Sequence, residues 1–267
     1  MLRALEAGEP ISAPALLVVA HPDDETVGMG ARLASFRRLR LVHVTDGAPD
    51  ASHDWRRAGF RNREAYAAER ARELDGALAA LQVSACRERL GFRDQAAALG
   101  LAELARRLRP ALAAAELVFT HTYEGGHPDH DAAAFAVWAA CAMLARAGTR
   151  PPLRLEFAGY HLARAERVAG RFWPDPARPE VAARVAPEAL ARKRAAIRAH
   201  ATQAAVLAWF DPAEERYREA PDYDFADPPP PGAALYDGFG WTMTGARWRK
   251  LARAAVAELG LETPTCA

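Results

Sequence analysis

Three short runs of almost uninterrupted apolar residues punctuate the first half of the chain: 15–20 (ALLVVA), 39–45 (LRLVHVT) and 116–120 (ELVFT). All three read as strands, and 15–20, apolar throughout, as one buried on both faces, as in parallel sheets covered by helices on each side. Segments with helical spacing lie between and after them, over 26–36, 62–81, 97–108 and 131–147, with Pro110 expected to close the third. A weaker strand is expected over 83–90 and a fifth strand over 153–160. This alternation selects an α/β fold with a Rossmann-like, doubly wound, mostly parallel sheet. In the order 3-2-1-4-5, strands one and four are neighbours, and ligands bind in the crevice at their carboxyl ends.

Two acid–histidine clusters fall at those two strand ends: His21-Pro22-Asp23-Asp24-Glu25 and His127-Pro128-Asp129-His130-Asp131. Zinc in a catalytic site takes three protein ligands and leaves a position for water. His21 and Asp24 can face one ion from the same loop, and His130 would complete the three. Asp23 is then free to act as general base, because a bound metal lowers the pKa of water towards about 7. His127, at the entrance of a helix opening near Pro128, would stabilise an oxyanion or protonate a leaving group. Asp129 would hydrogen-bond a histidine and fix its charge state. Capping of helix N-termini by these carboxylates explains either cluster alone. It does not explain His-Pro-Asp recurring at two strand ends expected to adjoin.

The segments AHPDDE (20–25) and HPDHD (127–131) resemble the two signature segments of the PIG-L/LmbE family of zinc-dependent de-N-acetylases. Val44-Thr45-Asp46-Gly47, Arg70 with Glu73, Ala77 and Leu81-Gln82-Val83, Gly91 to Asp94, and 193–203 (KRAAIRAHATQ) are similar to further family segments. Gln82 stands where glycine is usual and Thr202 where serine is. The likeness runs over roughly 15–205. The expectation is therefore one α/β domain over 1–267, with a family-like core at 15–205 and a divergent, Pro- and aromatic-rich segment at 206–267. The resemblance implies Zn2+, or another divalent metal, on His21, Asp24 and His130. It implies Asp23 as base, His127 assisting the oxyanion or leaving amine with Asp129 tuning it, and Arg70 and Asp94 contacting a sugar. The implied reaction removes an N-acyl group, foremost acetyl, from a small-molecule amino sugar or glycoconjugate. Two departures stand out: Ala31 follows Gly30 where the family often has a second glycine, and Gly125 stands where some members carry a tyrosine.

Composition narrows the field further. The chain has 267 residues, 51% of them hydrophobic, and a net charge of +1. That suffices for one sizeable core and shows no basic stripe, so no nucleic-acid partner is expected. Cys86, Cys141 and Cys266 have no CxxC spacing, which argues against a disulfide framework; Cys141 reads as a packing residue. No segment approaches the ~20 apolar residues of a membrane span, and a soluble, cytoplasmic protein is expected, with homo-oligomerisation open. Helices are expected over 188–209 and 247–259, with Lys193, His200 and Gln203 as packing or capping residues of the first. The Pro-rich stretch 211–240 reads as a rim over the site or a surface wrap, and Trp209, Tyr223, Phe225, Tyr236, Phe239 and Trp241 are expected to shape substrate choice. Three rivals are a phosphoesterase, a nucleotide-binding Rossmann protein and a non-catalytic sugar binder. The second lacks a third glycine after Gly28-Met29-Gly30.

Overall fold

A computed structural model describes residues 1–230 and 232–262. Its strands are β1 (Ala15–Val19), β2 (Leu39–Pro49), β3 (Cys86–Asp94), β4 (Leu117–His121), β5 (Leu153–Phe157), β6 (Tyr160–Ala163), β7 (Glu166–Ala169), β8 (Val181–Arg184) and β9 (Glu214–Glu219). Its helices are α1 (Leu2–Ala7), α2 (Asp24–Met29), α3 (Ser52–Arg57), α4 (Arg63–Ala80), α5 (Leu101–Ala113), α6 (Pro128–Arg146), α7 (Pro187–Ala199), α8 (Ala204–Leu207) and α9 (Gly245–Glu258). Seven strands form one sheet in the order β3-β2-β1-β4-β5-β9-β8. The first five are parallel; β9 runs antiparallel to β5 and β8 antiparallel to β9. The fold is the doubly wound α/β class that the apolar runs imply.

Each central strand feeds two cores. In β1, Leu16 and Val18 point to the face covered by α5, α6 and α9, while Ala15, Leu17 and Val19 point to the face covered by α1, α4 and α7. Successive strand side chains alternate between faces, so a strand covered on both must be apolar throughout. Burying each such leucine or valine contributes about 1.5–3 kcal/mol. Cys141 is buried in α6 among these side chains and Cys86 is exposed; Cys266 lies outside the described residues.

Several elements differ from the sequence expectation for identifiable reasons. The helix expected over 26–36 stops at Met29, because the Ala31 N–H turns to the Glu215 carboxylate at 2.8 Å instead of continuing the ladder. The helix expected to close at Pro110 runs through it to Ala113, held by buried Ala111 and Leu112 on the apolar side. The expected 188–209 helix breaks at His200, whose backbone (φ −82°, ψ 59°) leaves the helical region. The stretch 211–240, expected as a rim or surface wrap, also supplies β9 to the sheet, while the helix expected over 247–259 forms as α9 and packs into the core. No helix among the described residues is long and apolar enough to cross a membrane.

Candidate metal centre and active site

β1 and β4 pair in parallel, with Ala15 opposite Leu117, so the loops leaving their carboxyl ends meet. The rings of His21 and His127 stand 4.5 Å apart, and those of His21 and His130 5.2 Å. Asp24 lies between the clusters: Oδ2 is 3.3 Å from His21 Nδ1, and Oδ1 is 3.3 Å from His130 Nε2. Both clusters open into a cleft of about 720 Å³.

A third histidine also faces Asp24. His121, the last residue of β4, has its Nε2 3.3 Å from Asp24 Oδ2, and sequence reasoning missed it. Ligating atoms of Asp24, His121 and His130 lie within 4.8 Å of one another, as do those of His21, His127 and His130. The backbone separates ligand candidates from the rest. The Ala20 N–H donates to His121 Nε2 at 3.0 Å, occupying the lone pair that faces Asp24. Burial, with His130 nearby, lowers the His121 pKa to about 4 and keeps it neutral. In the same way the Asp129 N–H donates to His127 Nδ1 at 3.1 Å, making His127 the N-cap of α6. Burial and the neighbouring His21 hold His127 well below the usual histidine range, so its proton sits on Nε2 as a hydrogen-bond donor. Nε2 faces Asp94 Oδ1 at 3.7 Å.

His21, Asp24 and His130 keep free donor atoms. Ligands about 2.0–2.1 Å from a tetrahedral ion stand about 3.3 Å from one another; Asp24 shows this separation to each histidine through a different oxygen, Oδ2 to His21 and Oδ1 to His130. The surroundings favour a cation. Burial works against charge on His21, yet Asp94, Asp129 and Asp24 together raise its pKa well above the usual value. Asp24 is held well below the carboxylate range: burial opposes this, and His130 and His121 outweigh it. A donor set of imidazole nitrogens and carboxylate oxygens such as this one fits a divalent cation.

The remaining expected residues have distinct places. Asp129 accepts the N–H groups of Gln95 (2.6 Å) and Ala97 (3.0 Å), and its Oδ2 stands 3.3 Å from His21 Nε2 and 4.0 Å from His127 Nδ1. Its histidine partner is thus His21, where the resemblance pointed to His127. Asp94 reaches His21 Nε2 at 3.2 Å and lines the cleft. Arg70 is 3% exposed. It donates to Gly47 O (2.7 Å), Pro22 O (3.0 Å) and Asp23 Oδ2 (2.9 Å), the last a buried ion pair. Burial raises Asp23 to about 6 against the pull of Arg70.

The K…HATQ helix end braces this frame. Lys193 donates to Val27 O at 2.9 Å, Thr202 to Glu73 at 2.6 Å, and Gln203 to the Tyr66 hydroxyl at 2.6 Å. The C-terminal segment clamps the second cluster. Tyr236 donates to Asp131 Oδ2 (3.1 Å), Leu235 N–H to Gly125 O (2.7 Å), and the Trp248 indole to Pro128 O (3.0 Å). Gly125, at φ +69°, has Pro229 and Ala234 within 3.0 Å of where a Cβ would lie, so no side chain fits there. Tyr223, Phe225 and Tyr236 belong to this buried packing, whereas Trp209, Phe239 and Trp241 line the cleft.

Residues 16–141 match the family model described as PIG-L, GlcNAc-PI de-N-acetylase. The match covers a little under half of the chain. The chain is 33% identical to 1D-myo-inositol 2-acetamido-2-deoxy-alpha-D-glucopyranoside deacetylase 2 of Catenulispora acidiphila, over 43% of this chain and 46% of that protein. It thus spans about half the length of that curated relative. A solved deacetylase of the teicoplanin biosynthetic pathway superposes on this chain with a TM-score of 0.59 at 19% identity, covering 77% of this chain and 97% of that one. GalB, the 4-carboxy-2-hydroxymuconate hydratase of Pseudomonas putida KT2440, gives 0.51 at 21% identity, covering 73% and 82%. At these identities the likeness is one of fold, and the fold carries more than one activity.

Proposed function

We propose that the chain is a zinc-dependent hydrolase that removes an N-acyl group, foremost acetyl, from an amino sugar or its conjugate. The observation that carries the reading is the division of four histidines by two backbone N–H groups. It leaves His21 and His130 free to join Asp24 on an ion and gives His127 a donor proton. The named activity of the Catenulispora relative supports the amide substrate.

His21, Asp24 and His130 would hold Zn2+, or another divalent ion, which supplies Lewis acidity and lowers the pKa of water. The Asp23 carboxylate, oriented by Arg70, takes a proton from the attacking water. The His127 Nε2–H faces the cleft and donates to the oxygen that gains charge as the carbonyl becomes tetrahedral. Asp94 is held below the usual carboxylate range, since His21 and His127 outweigh its burial, and stays an acceptor beside both. Asp94 and Arg70 also border the cleft where sugar hydroxyls would lie. Trp209, Phe239 and Trp241 offer apolar ring faces to the rest of the substrate.

A panel of N-acetylated amino sugars, assayed for acetate release with zinc present, tests the reading. Asp23→Asn should keep its zinc and lose about 100-fold or more in kcat; near-normal turnover would remove Asp23 from the role of base. A two-metal phosphoesterase is the second reading, favoured by the grouping of His21, Asp94, His127 and Asp129 within 4.8 Å. Metal analysis separates the two: one ion per chain supports the deacetylase and two the phosphoesterase.

A further inference from the structure

Asp23 sits in a backbone conformation that L-residues rarely adopt, with φ +156° and ψ −25°. Such a conformation costs about 1–3 kcal/mol and persists only where neighbours over-determine it. Its side chain is tied by Arg70 and its carbonyl accepts the N–H groups of Thr26 and Val27 at 2.9 and 3.1 Å. Its N–H points to two acceptors: His21 O at 3.0 Å and the Glu25 Oε2 at 3.1 Å.

Glu25 is fully buried and meets more than Asp23. The same Oε2 lies 3.1 Å from His43 Nε2 on β2. The other oxygen, Oε1, accepts the Thr26 hydroxyl at 2.6 Å and stands 3.7 Å from His200 Nε2, where α7 ends. One carboxylate therefore ties the turn after β1 to a strand and to a helix end more than 150 residues away. Neither the proposed metal set nor the proposed proton transfers use it.

We propose that Glu25 is a positioning residue: its carboxylate, braced by His43, Thr26 and His200, holds the Asp23 backbone in this conformation and so aims the Asp23 carboxylate into the cleft. The proposal rests on the reading of Asp23 as base. Without Glu25 the Asp23 N–H loses its charged acceptor, and the backbone relaxes towards an ordinary region. A displacement of about 1 Å in a reacting group is enough to cost about 100-fold in rate.

Crystal structures of Glu25→Ala and Glu25→Gln beside the wild type test the geometry directly. Glutamine keeps an acceptor for the Asp23 N–H and alanine does not. Asp23 leaving its positive-φ conformation in the alanine variant but not in the glutamine variant supports the proposal. Asp23 unmoved in the alanine variant overturns it, whatever the activity. If the alanine variant does not fold, Glu25→Met fills the same volume without an acceptor and is read the same way. A kinetic cycle with Asp23→Asn, run on the best substrate of the acetate-release panel, tests the consequence. Glu25→Ala should lower kcat about 100-fold with KM and zinc content unchanged when Asp23 is present, and less than about 2-fold in the Asp23→Asn background. Equal losses in both backgrounds overturn the proposal. Absence of acetate release by the wild type overturns the deacetylase reading instead, and the crystallographic comparison still decides Glu25.

Discussion

Asp131 gathers three donors, the N–H groups of Glu124 and Gly125 and the Tyr236 hydroxyl, and so joins a loop, a helix start and the C-terminal segment in one carboxylate. Tyr236→Phe removes one of them and leaves Asp131 with two. Urea denaturation should show a loss of about 1–1.5 kcal/mol, with zinc content unchanged; a loss within error would mean the hydroxyl holds nothing. The approach of His21, Asp24 and His130 was legible because they leave the carboxyl ends of two strands expected to adjoin. His121 was not legible, since a histidine closing an apolar strand carries no motif, and its partner Ala20 lies just after β1, 101 residues earlier in the chain. Arg70 was legible as an important residue but not as the partner of Asp23, because 47 residues separate the two in the chain. His127 shows how tightly two demands can meet in one atom. The lone pair that caps α6 is the one that cannot then bind metal.

The start of α6 illustrates the same coupling between elements. Its first turn carries the second cluster, and α9 secures it: the Trp248 indole donates to Pro128 O while the ring packs fully buried against Tyr123 and Phe135. Trp248→Ala should cost about 3–5 kcal/mol in chemical denaturation through the cavity it leaves, and Trp248→Phe distinctly less because the site stays filled. A cost near 1 kcal/mol for the alanine variant would show that α9 is not part of the clamp. Parallel strands were legible because their apolar runs have no other use. β8 and β9 were not, because 214–219 (EERYRE) reads as a surface segment. Two of its charges are buried in pairs instead, Glu215 with Lys193 and Arg218 with Glu156. Burial of paired charges has no hydropathy signature. The early end of α2 was hidden for a related reason, since its cause is Glu215 on β9.

At the scale of the whole molecule, the frame of the proposed metal site is built from backbone and side-chain hydrogen bonds that need no ion. Chelation should therefore abolish acetate release and lower the Tm by the binding linkage, while the far-UV circular dichroism below the transition stays unchanged. Restored zinc should return both activity and Tm. Collapse of the far-UV signal on chelation would show instead that the ion holds the fold. The antiparallel insertion of β9 between β5 and β8 bears on how the molecule is made. Both clusters have left the ribosome once residue 131 is free, but Trp248 follows more than a hundred residues later. At ribosomal rates of about 5–20 residues per second, that is an interval of roughly 6–25 s. Throughout it the nascent chain carries its chemistry without the clamp that steadies it. Once β5 has emerged, its outer edge waits for β9 as an open edge, the kind of surface to which chaperones and neighbouring nascent chains attach.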